Sequence, residues 1–313
     1  MKAIVLKEAG AKDQLSVEEV AKPKPTADEV LVKTTSVGIN PIEIKTRKGN
    51  RFTDKLLADH PSILGWDLCG KIVQKGENVK DFSIDDQVFG MINFPDFGKT
   101  YAEYVCAKPK DLVRIPVSLS AKDAGGVPLA ALTAYQALKY EANIKRNTKV
   151  LIHAAGGGVG HFGVQFAKHF GGEVWVTCSA EKKDFINKLG ADHHINYKET
   201  NFEDELKEVD VVFDLIGGDY IDRSLKVLKK GGKIISIPTA TNQGVEEKAA
   251  AKGCKGVAFK VKPTQKDLQE ISDLIANKKV IPHISEHYNF TEVQEAHQSI
   301  EKGGTKGKIV ITF

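Results

Sequence analysis

Residues 149–183, "KVLIHAAGGGVGHFGVQFAKHFGGEVWVTCSAEKK", run a short apolar burst into a cluster of glycines, pass through a helical pattern and end in a second apolar burst. Two such strands joined through a helix read as a parallel βαβ unit. Its strands are buried on both faces, so helices must cover the sheet on either side. The spacing predicts a strand over 150–154 and a helix from the glycines to about His169. More strands separated by helical segments follow, in "VDVVFDLIG", "GKIISIP" and "GVAFKV". Residues 1 to about 117 differ in texture: short strands such as "AIVL", "EVLVKTTSVG", "CGKIVQKG", "DQVFGMI" and "YAEYVCAK" alternate with turn residues. One helical piece interrupts them after Asn40, where Asn-Pro can start a helix. Two helices and a terminal strand, "KGKIVITF", close the chain. The expected class is α/β, a β-rich part followed by a parallel-sheet part.

The glycine cluster carries chemistry as well as a turn. Against the fingerprint G-x-G-x-x-G, Ala155 stands at the first place, while Gly157 and Gly160 hold the second and third. Gly157 lets the backbone approach a pyrophosphate, and Gly160 lets helix and strand pack closely. The helix start adds free N–H groups and a positive dipole, so Gly156, Gly157, Gly158, Val159 and Gly160 are candidate phosphate contacts. In a unit that prefers NAD, an acid about twenty residues on accepts from the adenosine ribose hydroxyls. Here that place falls at or next to Ser179. A carboxylate would repel a 2′-phosphate, whereas a hydroxyl donates to it. Lys182 and Lys183 follow and Tyr197 closes the next strand, so the expected cofactor is NADPH. A solvated helix start is the other reading of the two lysines, and Glu181, two residues past the strand, is expected to face solvent.

Composition removes other classes. The 313 residues are 41% hydrophobic and 27% charged, with no apolar run long enough to span a bilayer. A formal net charge of +4, spread among acids, argues against a nucleic-acid stripe. Cys69, Cys106, Cys178 and Cys254 are far apart and form no CxxC, which suggests neither a structural zinc nor a disulfide framework. A reducing cytoplasm is the expected compartment. The start, "MKAIVLKEAG", lacks the apolar region of a signal peptide.

The stretches "VGINPIEIKTRKG", "HPSILGWDLCGKIVQKGENV", "VPLAALTAYQAL", "HAAGGGVGHFGVQFAK", "LGADHHINY", "DVVFDLIGGD" and "LKKGGKIISI" occur in one order over nearly the whole chain. In them the chain resembles the medium-chain dehydrogenase/reductase superfamily, specifically its zinc-free quinone oxidoreductase and enone reductase branch. The resemblance implies a GroES-like β-rich catalytic domain over 1–120, completed by 264–313, and a Rossmann NADP-binding domain over 121–263, with the cofactor in the cleft between them. It also implies a homodimer. Zinc-dependent members place a cysteine where this chain has Asn40, and a histidine where it has Trp66; the third ligand would fall near "GGVPLAAL", which contains no cysteine. Asp67 remains, but one carboxylate does not hold a catalytic zinc. Without a Lewis acid, the resemblance implies hydride transfer to quinones or α,β-unsaturated carbonyls. An enoyl-thioester reductase and a non-catalytic NADPH-binding protein, structural or regulatory, are the alternatives.

The resemblance also assigns residues. Asn40 is the expected hydrogen-bond donor or nicotinamide-side contact, with an N-cap role as its other reading. Lys45 and Tyr101 are expected to line the same pocket. Glu43 departs from the more usual aspartate. Thr133 is expected near the nicotinamide, and the loops containing Ile216 and Gly217 and spanning 237–242 near the ribose and nicotinamide. Lys306 and Lys308 are expected to reach the cofactor phosphates. Tyr135 and Lys139 match a Y-x-x-x-K spacing, but they precede the glycine loop on a helix whose apolar face explains Tyr135 as core.

Overall fold

In the computed structural model, which describes residues 1–313, the apolar runs after residue 148 become six parallel strands. Their order across the sheet is His193–Asn196, Glu173–Cys178, Lys149–Ile152, Val209–Asp214, Leu228–Ser236 and Lys255–Ala258. The earliest strand in the chain is thus central: the next two lie on one side of it and the last three on the other. Such a reversal is a topological switch point, where α/β sheets open a crevice at the carboxyl ends of their strands. The glycine loop leaves the carboxyl end of that central strand. Its core includes Leu151, Val212, Ile234, Phe202 and Ile221, all buried.

The central strand stops at Ile152, two residues short of the expected end, because the chain turns early. His153 is buried with its ring nitrogens on Thr177 Oγ1 (2.9 Å) and Ser224 Oγ (3.0 Å). Burial, then Arg223, pulls its pKa down to about 3, which keeps the ring neutral. Ala154 takes a positive φ of 49°, and Ala155 N–H donates to Thr177 O at 3.2 Å. The helix Gly160–His169 then starts hard against this turn. A Cβ on Gly160 would lie 2.5 Å from Ala154 O and 2.7 Å from Ala155 Cα.

The rest of the chain forms a mainly antiparallel sheet of seven strands. Its order is Ile284–Asn289, Lys308–Thr312, Val30–Gly38, Asp67–Lys75, Gln87–Met91 and Leu112–Arg114, with Tyr104–Ala107 also paired to Val30–Gly38. Lys308–Thr312 pairs parallel to its neighbour on one side and antiparallel to Val30–Gly38 on the other, which brings the chain terminus beside residues 36–38. A separate hairpin joins Lys2–Leu6 to Leu15–Glu19.

Two compact units result: Met1–Leu132 with Lys262–Lys278 and Pro282–Phe313, and Thr133–Val261 with Lys279–Ile281. The first division falls inside the helix Pro128–Gln136, later than the change of texture at 121, because the first unit holds the start of that helix through a bond from Leu129 N–H to Asp67 Oδ1 (2.7 Å). Residues 279–281 belong to the second unit through Gln165. Its amide donates to Ile281 O (3.1 Å) and accepts from Ile281 N–H (2.7 Å).

Gly160→Ala forces the new methyl into backbone atoms that cannot swing away. We expect a loss of about 1–3 kcal/mol in unfolding free energy, the usual cost of overpacking. Denaturant titration checks it; an unchanged midpoint would mean that the turn yields.

Candidate functional site

Two constellations matter, one in each unit. In the second unit the carboxyl ends of neighbouring strands bring the expected nucleotide residues together. Glu173–Cys178 pairs with His193–Asn196 in the register Cys178↔Asn196, so Ser179 and Tyr197 are the first residues beyond a matched pair of strand ends. Ser179 is buried, and the short 3₁₀ turn Ala180–Lys182 follows it. Lys182 reaches back over the glycine loop: a Cβ on Gly156 would lie 2.4 Å from Lys182 Cδ. Lys183 and Tyr197 are exposed, as is Glu181, whose carboxylate lies 3.9 Å from Lys198 Nζ. On Gly157 a Cβ would meet only Ala154 O, at 3.3 Å, so the loop is open at the residue where a phosphate must approach. Gly158 and Val159 are half-buried and Gly160 is buried.

The loop after Val209–Asp214 is set by a buried carboxylate. Asp214 Oδ1 accepts from Ile216 N–H (3.0 Å) and Gly217 N–H (2.9 Å), while Oδ2 accepts from Ser236 Oγ (2.6 Å). Gly217 has a positive φ of 75° and lies against Thr241; Thr241 Oγ1 donates to Ile216 O at 3.0 Å. The loops 215–218 and 237–242, both expected near the ribose and nicotinamide, are therefore one clipped structure. Thr133 is buried in the helix Pro128–Gln136. Tyr135 is buried too, edge-on to Phe166, and Lys139 Nζ donates to its hydroxyl at 2.8 Å.

In the first unit, Asn40, Glu43, Asp67 and Lys308 form a polar cluster, all of them buried. Asn40 precedes the helix Pro41–Lys48, and its backbone N–H donates to Glu43 Oε2 at 2.9 Å. Asn40 Nδ2 donates to Asp67 Oδ2 (2.9 Å) and reaches Glu43 Oε1 (3.4 Å). Lys308 Nζ donates to Asn40 Oδ1 and to Ile39 O (2.8 Å), and lies 3.9 Å from Asp67 Oδ2. The glycine of "VGINP" is explained here: a Cβ on Gly38 would lie 2.5 Å from Asp67 Oδ2. Two buried carboxylates face one ammonium. Burial first, then Asp67, pushes Glu43 up to about 8. Burial also raises Asp67, against the pull of Lys308, and lowers Lys308 itself.

Three expectations change as a result. Lys308 is held inside the first unit by its neighbours and does not reach out to a cofactor phosphate; Lys306, two residues earlier, is exposed. Tyr101 is a core residue rather than the lining of an open pocket. It is fully buried, with its hydroxyl 3.2 Å from His297 Nε2, and burial raises its pKa well above the ordinary phenol value. Asn40 is not a free donor, since both hydrogens of its amide point at carboxylates. The reverse amide orientation would set the NH₂ group against an ammonium. Lys45 is exposed on the same helix.

Trp66 fills its position as a core residue, with Nε1 donating to Asp96 O (2.7 Å) and Phe94 edge-on at 6.0 Å. Nowhere do three His, Cys, Asp or Glu side chains converge on a point that could hold a metal ion. Burial pushes Cys69 up to about 12, and Cys106 and Cys178 to about 11, so none of the three is a ready thiolate. The sequence reading missed the Lys308 contacts and the Tyr101–His297 pair. The signal for the first was "KGKIVITF" itself: with Ile309, Val310 and Ile311 all buried, the strand has no solvent face for Lys308.

Comparison with known proteins agrees with this architecture. The profile described as "Alcohol dehydrogenase GroES-like domain" matches residues 26–117, and that described as "Zinc-binding dehydrogenase" matches 189–311. The chain is 32% identical over 323 aligned residues to the NADPH-dependent alkenal/one oxidoreductase, chloroplastic, of Arabidopsis thaliana, covering 99% of this chain and 79% of that protein. The structure of the quinone oxidoreductase from Coxiella burnetii superposes with a TM-score of 0.96 at 36% identity, over 100% of this chain and 99% of that one. The Escherichia coli quinone oxidoreductase complexed with NADPH superposes with a TM-score of 0.87 at 26% identity, over 100% of both chains.

The buried carboxyl groups give a pH signature. The folded protein holds the Glu43 proton more tightly than the unfolded chain, so this contribution is complete below 4.5 and is lost as pH rises through about 8. Asp67 acts in the same direction. Glu43→Gln cannot ionise, so between about pH 5 and pH 8 its Tm should fall less than that of the native protein. Parallel Tm-against-pH curves would contradict the assignment.

Proposed function

Because the chain belongs to the medium-chain dehydrogenase/reductase family, in the branch without the zinc ligands, we propose that it is an NADPH-dependent oxidoreductase acting on quinones or on alkenes conjugated to a carbonyl. The observation that carries this reading is the strand-end cluster of Ser179, Lys182 and Tyr197 beside an open glycine loop. The residues suit a nucleotide with a 2′-phosphate: a hydroxyl replaces the ribose-binding acid, and Lys182 and Lys183 supply charge next to it. Gly156, Gly157, Gly158, Val159 and Gly160 offer backbone N–H groups to the pyrophosphate. Ile216, Gly217 and Thr133 bound the nicotinamide half. Reduced nicotinamide, when bound, supplies the hydride.

The chain's own contribution is binding, orientation and a fixed electrostatic setting. With Asn40 and Trp66 at the zinc positions, the side chains supply no Lewis-acid site, which favours acceptors that take hydride readily. Negative charge that develops on a substrate oxygen is best met by donors already in place. The Asn40 amide is committed on both edges, Nδ2 to Asp67 and Glu43 and Oδ1 to Lys308, and so serves as a fixed anchor for this part of the fold. No helix is long and apolar enough to cross a membrane. Four free cysteines favour a reducing compartment, which we take to be the cytoplasm, and family likeness favours a homodimer.

The test is NADPH oxidation followed at 340 nm with a panel of small quinones, enones and enoyl thioesters. Turnover with the first two supports the reading; turnover with thioesters alone makes the protein an enoyl reductase. Tight NADPH binding without turnover would make it a binding protein. In Ser179→Asp, kcat/KM for NADPH should fall roughly a hundredfold relative to NADH, the loss of a contact worth two decades. An unchanged ratio removes Ser179 from the site.

A further inference from the structure

The Lys308 ammonium occupies a place of its own kind. It is 3% exposed, and its donors meet Ile39 O and Asn40 Oδ1, with Asp67 Oδ2 at 3.9 Å. Glu43 completes the surroundings through Asn40. Its three polar partners are all oxygens, and one of them is a carboxylate. Oxygen partners of this kind are what hard cations select, and a buried ammonium is tolerated only when paired and hydrogen-bonded in this way. Gly307, with φ of 66° and no room for a Cβ beside His283 O, turns the chain so that Lys308 enters the pocket while Lys306 stays outside.

We propose that residues Ile39, Asn40 and Asp67 form a cation site whose resident cation is Lys308, and that Lys308 is a positioning residue for the reaction. It acts through Asn40. By fixing the amide oxygen it commits Nδ2 to Asp67 and Glu43, which sets the orientation of the amide and holds the start of the helix Pro41–Lys48. The positioning role rests on the oxidoreductase reading; the cation site does not.

Two consequences separate this from a phosphate contact and from a plain fold clamp. A phosphate contact would weaken NADPH when removed. A fold clamp would respond to stability alone, with no need for N–H donors or positive charge at that spot.

The experiment uses Lys308→Ala and Lys308→Met, with methylammonium and tetramethylammonium chloride as probes. In Lys308→Ala, kcat should fall tenfold or more while the Kd for NADPH, read by fluorescence titration, stays within twofold of native. Methylammonium should restore kcat and raise Tm, both saturably. Tetramethylammonium, which has no N–H, should do neither, and Lys308→Met, whose side chain fills the space, should not be rescued. If Lys308→Ala does not fold, methylammonium should restore the folded fraction on refolding. The proposal is overturned by native kcat in Lys308→Ala, by a selective loss of NADPH affinity, or by equal effects of the two ammonium salts on Tm. A native protein with no turnover, together with methylammonium-specific stabilisation of Lys308→Ala, would sink the oxidoreductase reading and leave the cation site standing.

Discussion

One ammonium shared by two carboxylates and an amide, all out of contact with water, decides how the first unit is assembled. In a low-dielectric interior none of these groups is tolerable alone. Together they fasten positions far apart in the chain: Asn40 to Lys308 across 268 residues, Asn40 to Asp67 across 27, and Asp67 to Leu129 across 62. The terminal strand, the turn after Val30–Gly38 and the start of the helix Pro128–Gln136 all meet at this point. Gly38 has to be glycine because the Asp67 carboxylate fills the space of its side chain.

The same cluster redefines what the front of the site offers. A free asparagine would be a donor; this one is committed on both edges, its hydrogens to carboxyl groups and its oxygen to Lys308. The carboxyl of Glu43, pushed up to about 8, stays largely protonated near neutral pH, so the cluster approaches charge balance without a metal.

The order of strands and helices in the nucleotide unit was legible in the sequence. The strand Glu173–Cys178 and the end of the glycine-loop helix at His169 fall where periodicity puts them. Ser179 lies at the strand end because the spacing of a βαβ unit leaves little freedom. The first unit was less legible, for a physical reason. Its important contacts are long-range and polar, and local pattern does not record them. "ISEHYN" has only Ile284 and Tyr288 as apolar residues and gave no clear strand signal, although residues 284–289 pair with the terminal strand. Lys308 looks like any lysine near a terminus until the burial of the three residues after it is taken seriously. Tyr101 and His297 are 196 residues apart, and nothing near either of them announces the other.

The nucleotide assignment can be tried without knowing the substrate. Calorimetric titration of the native protein with adenosine 2′,5′-bisphosphate and with AMP isolates the phosphate on the 2′ oxygen. The account predicts that the 2′-phosphorylated nucleotide binds at least tenfold more tightly, with the advantage shrinking as salt screens the lysines. Equal affinity for the two, or a preference for AMP, would contradict it.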